Sequence, residues 1–349
     1  MKQLFLLLFL LSAFSLQAQD SQEVTDLIKE GILYHDAGDY ERAIGMYKKA
    51  LDIAPDSYLV NYEIAMTYMH TKDYNNAIKY SDKAIKVGGD KAMAAYMNKG
   101  SCLNYLGKPK DALKVFEKAE KKFSPHYLLY FNWALVYYGM KEYPKAVPIF
   151  EKGIGLNPFH GSSHLYTGYS EANMNNKIQP LLSFYYFLML EPRGSRAMDV
   201  YGLLQQLLNG NVSKTGENKI TISLDPNSFK SEFSTTEMIL PLMIAANTTE
   251  INKDKTEMQL FVKNTETLFS SLKESLENRK ADGKSLDTKN SLWWKFYIPF
   301  FSRLYDSGNV EAFCYYISGE FSPEAETWLL NNEEKNTKFL KWIKVLDDE

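Results

Sequence analysis

Two histidines have the spacing in this sequence that best fits metal chemistry. His160 and His164 are four residues apart, so a helix would place both imidazoles on one face, where they could bind a metal ion. The HExxH frame of helical zinc enzymes is missing around them, and the neighbouring sequence holds no acidic cluster. The pair also falls at a junction between two helical segments. We therefore predict neither a metal site nor a cofactor.

Other catalytic groups are sparse. The sequence has no GxSxG turn, Walker loop, GxGxxG or CxxC motif. No histidine follows His164, so the C-terminal half cannot supply its own Ser-His or Cys-His pair. Glu311 and Glu320 lie on predicted exposed helix faces, with nothing to pair them as acid and base. The sequence predicts a protein that is not an enzyme; the alternative is an envelope hydrolase with its site in the C-terminal domain.

Composition narrows the classes of partner. The chain has 349 residues, 45% of them hydrophobic, and a formal net charge of −3. Basic residues never form a run longer than two, so the electrostatic footprint of a nucleic-acid-binding protein is missing. Cys102 and Cys314 allow a single disulfide bridge or two buried free thiols, and we favour the free thiols.

Small residues, aromatics and prolines recur along the first 193 residues. The stretch "GDYERAIGMYKKALDIAP" aligns with four later segments at intervals of 34, 35, 34 and 34 residues. The eighth position of this frame is small in every copy: Gly31, Ala65, Gly100, Ala134 and Gly168. Small residues also occupy position 20 (Ala43, Ala77, Ala112, Ala146) and position 27 (Ala50, Ala84, Ala119, Gly153). Position 24 holds an aromatic residue in four copies (Tyr47, Phe116, Phe150 and Phe184) and Ser81 in the second copy.

This pattern resembles the tetratricopeptide repeat (TPR) family, whose period is 34 residues and whose unit is a helix pair. The resemblance implies an all-α fold: a right-handed superhelix of about five helix-turn-helix repeats over residues 24–193. In the fifth copy Pro180 and Phe187 replace small residues, so we expect that copy to be splayed or to act as a cap. Residues 194–234 are predicted to be a connector with one short strand or hairpin, and residues 235–349 a helical C-terminal domain.

The resemblance also implies a binding surface, because in this family the first helix of each repeat lines a concave groove. Met offers an adaptable apolar surface, and Asn can hydrogen-bond a peptide backbone. Carried over residue by residue, the predicted partner-binding groove consists of Tyr62, Met66, Met69, Met97, Asn98, Ser101, Phe131, Asn132, Leu135, Tyr138, Tyr166 and Tyr169.

The groove predicts a function of binding rather than catalysis. We expect a non-catalytic adaptor or scaffold that holds a peptide or helix of another cell-envelope protein. The chain has Ile28 and Ile32 where the family branch that binds chaperone tails requires Lys and Asn, so that ligand is not expected. Two alternatives stay open at this point: these residues form ordinary core, or the chain's own C-terminal domain fills the groove.

The C-terminal half contains one concentrated aromatic segment, "NSLWWKFYIPFFSRLYDSG". Trp293, Tyr297 and Phe300 follow one helical stripe, and Trp294 and Phe301 follow its neighbour. Covering both stripes requires burial over more than half of the helix surface. We interpret the segment as core; an exposed patch for a partner or a membrane interface is the alternative.

The N-terminus predicts export. Lys2 precedes an apolar run from Leu4 to Leu16 that is too short to span a bilayer comfortably, and Ala18 offers a cleavage site. We expect residues 1–19 to be a signal peptide and the mature chain to lack a membrane span. The whole chain resembles a group of exported TPR proteins of Bacteroidota, which implies a location in the periplasm, at the outer membrane or outside the cell.

Overall fold

The computed structural model describes residues 22–210, 212–216, 219–223, 231–247, 252–286 and 292–347. It divides into two compact units, Met1–Glu142 and Tyr143–Glu349. The division falls within the fourth predicted repeat, not at residue 193. The predicted signal peptide lies outside the described residues. None of the described helices is both long enough and apolar enough to cross a bilayer.

The first unit is built of consecutive antiparallel helix pairs. The first helix, α1, covers residues 22–36. The others are α2 (Tyr40–Ile53), α3 (Tyr58–His70), α4 (Tyr74–Gly88), α5 (Met93–Tyr105), α6 (Pro109–Lys122) and α7 (Tyr127–Gly139), with a 3-10 turn at Gly89–Lys91 between α4 and α5. Ser57 and Asp73 cap α3 and α4, since their side chains accept hydrogen bonds from Val60 N and Asn76 N. The helical pairs predicted from the 34-residue period are confirmed.

The turn inside each helix pair requires one residue in the left-handed region. The residues there are Gly38, Lys72, Gly107, Lys141 and Asn175, with φ between 60° and 78°. Their spacing follows the repeat period, although only two of them are glycine. A side chain at such a φ carries a steric penalty, so Lys72 and Lys141 are held there by the helices on either side.

Small residues at position 8 are explained by the ring at position 24 of the same repeat. A Cβ atom added to Gly31 would lie 2.4 Å from Tyr47 Cε1, and one added to Gly100 would lie 2.5 Å from Phe116 Cζ. In the second repeat Ala65 and Ser81 are both fully buried, and in the fourth repeat Ala134 is fully buried together with Phe150, so an alanine also fits at position 8 in these two copies. Ala43, Ala77 and Ala112 at position 20 are also fully buried, as predicted.

The second unit begins with three helices that keep the repeat pattern, α8 (Tyr143–Leu156), α9 (Gly161–Asn173) and α10 (Ile178–Leu190), followed by α11 (Ser195–Asn209). A hairpin pairs β1 (Val212–Gly216) antiparallel with β2 (Lys219–Ile222). The remaining helices are α12 (Ser234–Asn247), α13 (Glu257–Ala281), a π-helical turn (Trp293–Tyr297), α14 (Ile298–Asp306), α15 (Val310–Ser318), α16 (Pro323–Asn331) and α17 (Glu333–Asp347). The structure has a hairpin where the sequence predicted one short strand or a hairpin, and the region after it is helical as predicted, whereas the predicted connector also contains a full helix, α11.

The core of the second unit surrounds α10. Every residue from Ile178 to Met189 is buried. The ring of Tyr185 lies 5.3 to 6.2 Å from the rings of Phe261, Phe269, Phe301 and Phe313. The expectation that this copy would be splayed or act as a cap is therefore wrong. Because α10 is apolar around its whole circumference, it has to be covered on all sides, and α13, α14 and α15 cover it.

The aromatic segment is core, as predicted. Trp293, Trp294, Tyr297 and Phe301 are at most 2% exposed. Trp293 stacks on Tyr297, and the indole N–H of Trp294 donates a 2.8 Å hydrogen bond to Glu232 Oε2. Cys102 and Cys314 are buried free thiols, as favoured from the sequence.

Candidate functional site

The first helices of consecutive repeats lie side by side in the first unit. Helix α3 packs against α5, and α5 packs against α7. Ten of the predicted groove residues lie on these three helices. Nine of the ten side chains are half-buried: Tyr62, Met66, Met69, Met97, Ser101, Phe131, Asn132, Leu135 and Tyr138. The described residues therefore form a face of Met, aromatic and small polar side chains on three adjacent helices; we call it the α3–α5–α7 face.

Asn98 departs from the prediction. Its side chain is only 4% exposed. Its Nδ2 lies 3.0 Å from Met66 Sδ and 3.4 Å from Met69 Sδ, and its Oδ1 accepts hydrogen bonds from Ser81 Oγ at 3.0 Å and Cys102 Sγ at 3.4 Å. Residues of α3, α4 and α5 thus use the hydrogen-bonding groups of the Asn98 side chain. The side chain therefore cannot bind a peptide backbone. It fixes the two Met side chains of the α3–α5–α7 face.

Asn132 on α7 keeps part of its hydrogen-bonding capacity. Its Nδ2 donates a 2.8 Å hydrogen bond to the carbonyl of Leu128 one turn earlier. A carboxamide has two N–H donors and an acceptor oxygen, so this single bond uses one donor. The side chain is half-buried and is held in one orientation by that bond.

The charge of the face is set by acidic groups near α3. Burial and the neighbouring Asp36 carboxylate raise the pKa of Glu63, which follows Tyr62 in the chain. Tyr62 itself stacks on Tyr58, with ring centroids 6.0 Å apart and planes 12° apart. Lys99 on α5 is paired with Asp82 of α4. A basic group bound beside Glu63 would stabilise the ionised form that burial and Asp36 disfavour, so the face suits a neutral or basic segment.

Tyr166 and Tyr169 lie on α9 in the second unit. Tyr169 packs against the hydrophobic core of that unit, with its ring 5.5 Å from Phe184. Tyr166 stacks on Phe150 at 6.2 Å and meets Tyr169 edge-on at 6.1 Å. Both side chains are half-buried, like the nine residues of the α3–α5–α7 face, and their ring contacts lie within the second unit, so their role in a groove stays a prediction.

His164 joins this fifth repeat to the aromatic segment. Its Nδ1 is 2.6 Å from Tyr297 Oη, and its Nε2 is 2.7 Å from the Pro158 carbonyl oxygen. Since a carbonyl only accepts, Nε2 carries the proton and Nδ1 accepts from the tyrosine hydroxyl. Burial lowers the pKa of His164 to about 3, so the ring is neutral. Both nitrogens are used within the protein, which removes His164 from any metal pair with His160.

Sequence reasoning missed a cluster of two histidines and a tyrosine at the start of the first unit. The rings of His35 and His70 meet edge-on at 4.9 Å, and Tyr40 stacks on His70 at 6.0 Å. His35 Nδ1 is 2.9 Å from Thr67 Oγ1. Burial, followed by the neighbouring His70, lowers the pKa of His35. The signal was available, because both histidines end the first helix of a repeat.

Two carboxyl groups in the second unit have raised pKa values. Such groups are candidates for catalysis in the hydrolase alternative. Burial, then the Glu171 and Glu232 carboxylates, raises the pKa of Glu151 to about 8. Burial likewise raises the pKa of Glu171 to about 7, and Asn176 Nδ2 donates a hydrogen bond to it. Neither residue lines the cavity of about 760 Å³ in this unit. The raised carboxyl groups and the cavity are thus separate features.

Residues 34–97, 94–121 and 127–160 match profiles described as tetratricopeptide repeat. These segments are similar to tetratricopeptide repeats, and together they cover less than half of the chain. The matched segments contain α3, α5 and α7, so the α3–α5–α7 face lies within the part of the chain that is similar to these repeats.

Two relatives are similar to part of the chain. A TPR repeat-containing protein of Methanocaldococcus jannaschii is 30% identical over 114 residues, which is 33% of this chain and 20% of that protein. Tetratricopeptide repeat protein 28 of Mus musculus is 35% identical over 82 residues, 24% of this chain and 3% of that protein. The chain thus spans a fifth or less of the length of these two relatives.

Three solved structures are also similar to part of this chain. PilF of Pseudomonas aeruginosa is 18% identical, with 54% of this chain and 90% of that chain covered and a TM-score of 0.45. MamA of Desulfovibrio magneticus is 20% identical, with 48% and 95% covered and a TM-score of 0.43. YrrB, described as a TPR protein with an unusual peptide-binding site, is 20% identical, with 54% and 98% covered and a TM-score of 0.41.

Proposed function

We propose that this protein is a non-catalytic adaptor that binds an extended or helical segment of another protein on the α3–α5–α7 face. One observation carries the proposal: nine half-buried side chains, most of them Met or aromatic, lie on three adjacent first helices of the repeats. Repeats of this kind form extended binding surfaces, and they hold partners without catalysing a reaction.

The chemistry of the face defines the partner. Met66, Met69 and Met97 supply flexible thioethers that adapt to apolar side chains, while Tyr62 and Phe131 supply rigid rings for anchoring. A basic residue in the bound segment would stabilise the ionised form of Glu63, which burial and Asp36 disfavour. We therefore propose a segment with apolar or aromatic anchors and a neutral or basic charge, from a protein of the cell envelope. The envelope location rests on the signal peptide predicted at residues 1–19.

A crosslinking experiment tests the proposal. A photo-crosslinking amino acid at Tyr138, on α7, should capture a partner in cells, and mass spectrometry would identify the bound segment. The matched control places the same amino acid at Lys79, which is exposed on α4, a second helix of a repeat. Crosslinks from position 138 only to residues 194–349 of the same chain would mean that the face is an internal interface and would refute the proposal.

A further inference from the structure

The second unit contains a cavity of about 760 Å³ that is separate from the α3–α5–α7 face. Its volume lies within the range of roughly 300–1,000 Å³ that is usual for sites that bind small molecules or short peptide segments. Its walls come from α11, the end of α12, the first two turns of α13, and the start of α16. The cavity can therefore hold a ligand much larger than an ion.

Two carboxylates give the cavity its charge. Glu257 is the first residue of α13, and Glu324 is the second residue of α16. Neither forms an ion pair with another described residue, and the lining includes no Lys, Arg or His among the described residues. Glu324 Oε1 accepts hydrogen bonds from Thr256 Oγ1 at 2.6 Å and Tyr315 Oη at 3.4 Å, which orient the carboxylate without neutralising it. An anionic ligand is thereby disfavoured.

Aromatic rings also line the cavity. The ring of Tyr201 lies 5.3 Å from Phe321 and 5.9 Å from Phe261. Tyr201 and Phe321 are half-buried, so part of each ring is accessible within the cavity. Aromatic faces attract cations, and a planar guanidinium also stacks on them.

A row of amides completes the lining. Asn247 Nδ2 donates to Asn264 Oδ1 at 2.6 Å, and Asn264 Nδ2 donates to Asn209 Oδ1 at 3.4 Å. Asn209 Nδ2 in turn donates to the Gln205 carbonyl oxygen at 3.1 Å. Each amide oxygen has two lone pairs, so the row can accept further hydrogen bonds from a ligand with several N–H donors.

We infer that this cavity binds a guanidinium group, carried either by an arginine of a peptide segment or by a small free guanidine. A guanidinium has five N–H donors in a planar fork, a permanent positive charge and an apolar face. The cavity matches these three properties. The amide row can accept the N–H donors, the two carboxylates match the charge, and the rings of Tyr201 and Phe321 match the apolar face. The inference does not depend on the proposed function, since the cavity and the α3–α5–α7 face share no residue.

Calorimetric titration of the full chain tests the inference with defined probes: agmatine, the peptide acetyl-Ala-Arg-Ala-amide, and the same peptide with neutral citrulline in place of arginine. We expect the arginine peptide to bind and its citrulline counterpart to bind at least about tenfold more weakly, because the charged partner of the carboxylates is lost. Tighter binding of the peptide than of agmatine would identify a protein segment as the source, and the reverse would identify a small guanidine.

Substitutions locate the site. Glu257→Gln and Glu324→Gln should each weaken the arginine peptide at least about tenfold, whereas Glu326→Gln, an exposed neighbour that does not line this cavity, should leave its affinity unchanged. Equal affinity for arginine and citrulline peptides on the unmodified chain would overturn the inference whether or not the variants fold. So would a lack of measurable binding of both guanidinium probes at millimolar concentration.

Discussion

The Ser81 hydroxyl donates a 3.0 Å hydrogen bond to the Asn98 Oδ1 atom, 17 residues away on the next helix. Ser81 occupies the position that is aromatic in the other copies. Its small size lets Asn98 reach across from α5 and bind the sulfur atoms of Met66 and Met69 on α3. The departure from the repeat pattern is thus the origin of a buried polar cluster behind the α3–α5–α7 face.

Asn98→Ala should lower the free energy of unfolding by about 2 kcal/mol, because it leaves the buried Ser81 hydroxyl without its partner and opens a cavity. Ser101→Ala, on the same helix and half-buried, is the matched control and should change stability by less than about 0.5 kcal/mol. Urea unfolding followed by circular dichroism measures both. If Asn98→Ala were as stable as the unmodified protein, the assignment of Asn98 to the interior would be wrong.

Gly100→Ala should destabilise the first unit by about 1–3 kcal/mol, because the new methyl group would overlap the ring of Phe116. Adding Phe116→Ser recreates the Ala65 and Ser81 combination of the second repeat. The double variant should therefore be more stable than the sum of the two single effects predicts. Strict additivity in a double-mutant cycle would show that the ring does not select the glycine.

Lys72→Gly should raise the free energy of unfolding by about 0.5–1 kcal/mol, because Lys72 has a φ of 62° that glycine adopts without a steric penalty. The opposite change at the equivalent turn, Gly107→Ala, should lower it by about 1 kcal/mol. Thermal unfolding of the two variants compares them directly. A stabilising Gly107→Ala would contradict the periodic left-handed turn.

The second unit should lose stability as the pH rises. Because burial raises the pKa of Glu171 to about 7 in the folded chain, the folded state holds a proton that the unfolded state releases at lower pH. Stability is therefore greatest below the unfolded pKa of a carboxyl group and falls as the pH rises through the folded value. We expect a loss on the order of 2 kcal/mol between pH 5 and pH 8 from this group.

Glu171→Gln should reduce that pH dependence and leave the part that comes from Glu151, since an amide oxygen can still accept the hydrogen bond from Asn176 but does not ionise. Glu311→Gln, an acidic residue that is paired with Lys335, is the control and should preserve the slope. Denaturant unfolding at several pH values measures the slope. An unchanged slope in Glu171→Gln would show that this carboxyl group is already ionised at neutral pH.

Local periodicity was enough to predict the repeats, since small residues at positions 8, 20 and 27 report directly on helix crossings. It was not enough for the fifth repeat. There the bulk of Phe187 predicts a splayed copy, whereas the continuous apolar run of α10 indicates burial on every side. The helix α11 was missed because its sequence follows the last copy without the repeat's aromatic and alanine markers, and the short glycine- and serine-rich stretch after it dominated the interpretation.

The binding face was predictable in position but not in detail. Family positions place side chains on the first helices, which is why Tyr62, Met97 and Tyr138 lie on half-buried faces. They do not show which neighbour a side chain reaches, so the burial of Asn98 and the packing of Tyr169 on Phe184 became visible only in three dimensions. The cavity in the second unit draws on four helices distant in sequence and left no local signal.

The most direct test is the affinity of the segment crosslinked at Tyr138, measured as a synthetic peptide with the unmodified chain and with the double variant Tyr62→Ala and Phe131→Ala. Leu59→Ala, which removes an exposed side chain from α3, is the control. Aromatic anchors at the centre of an interface contribute about 2 kcal/mol or more each, so the double variant should bind at least about tenfold more weakly while Leu59→Ala binds normally. Unchanged affinity in a folded double variant would contradict binding on the α3–α5–α7 face.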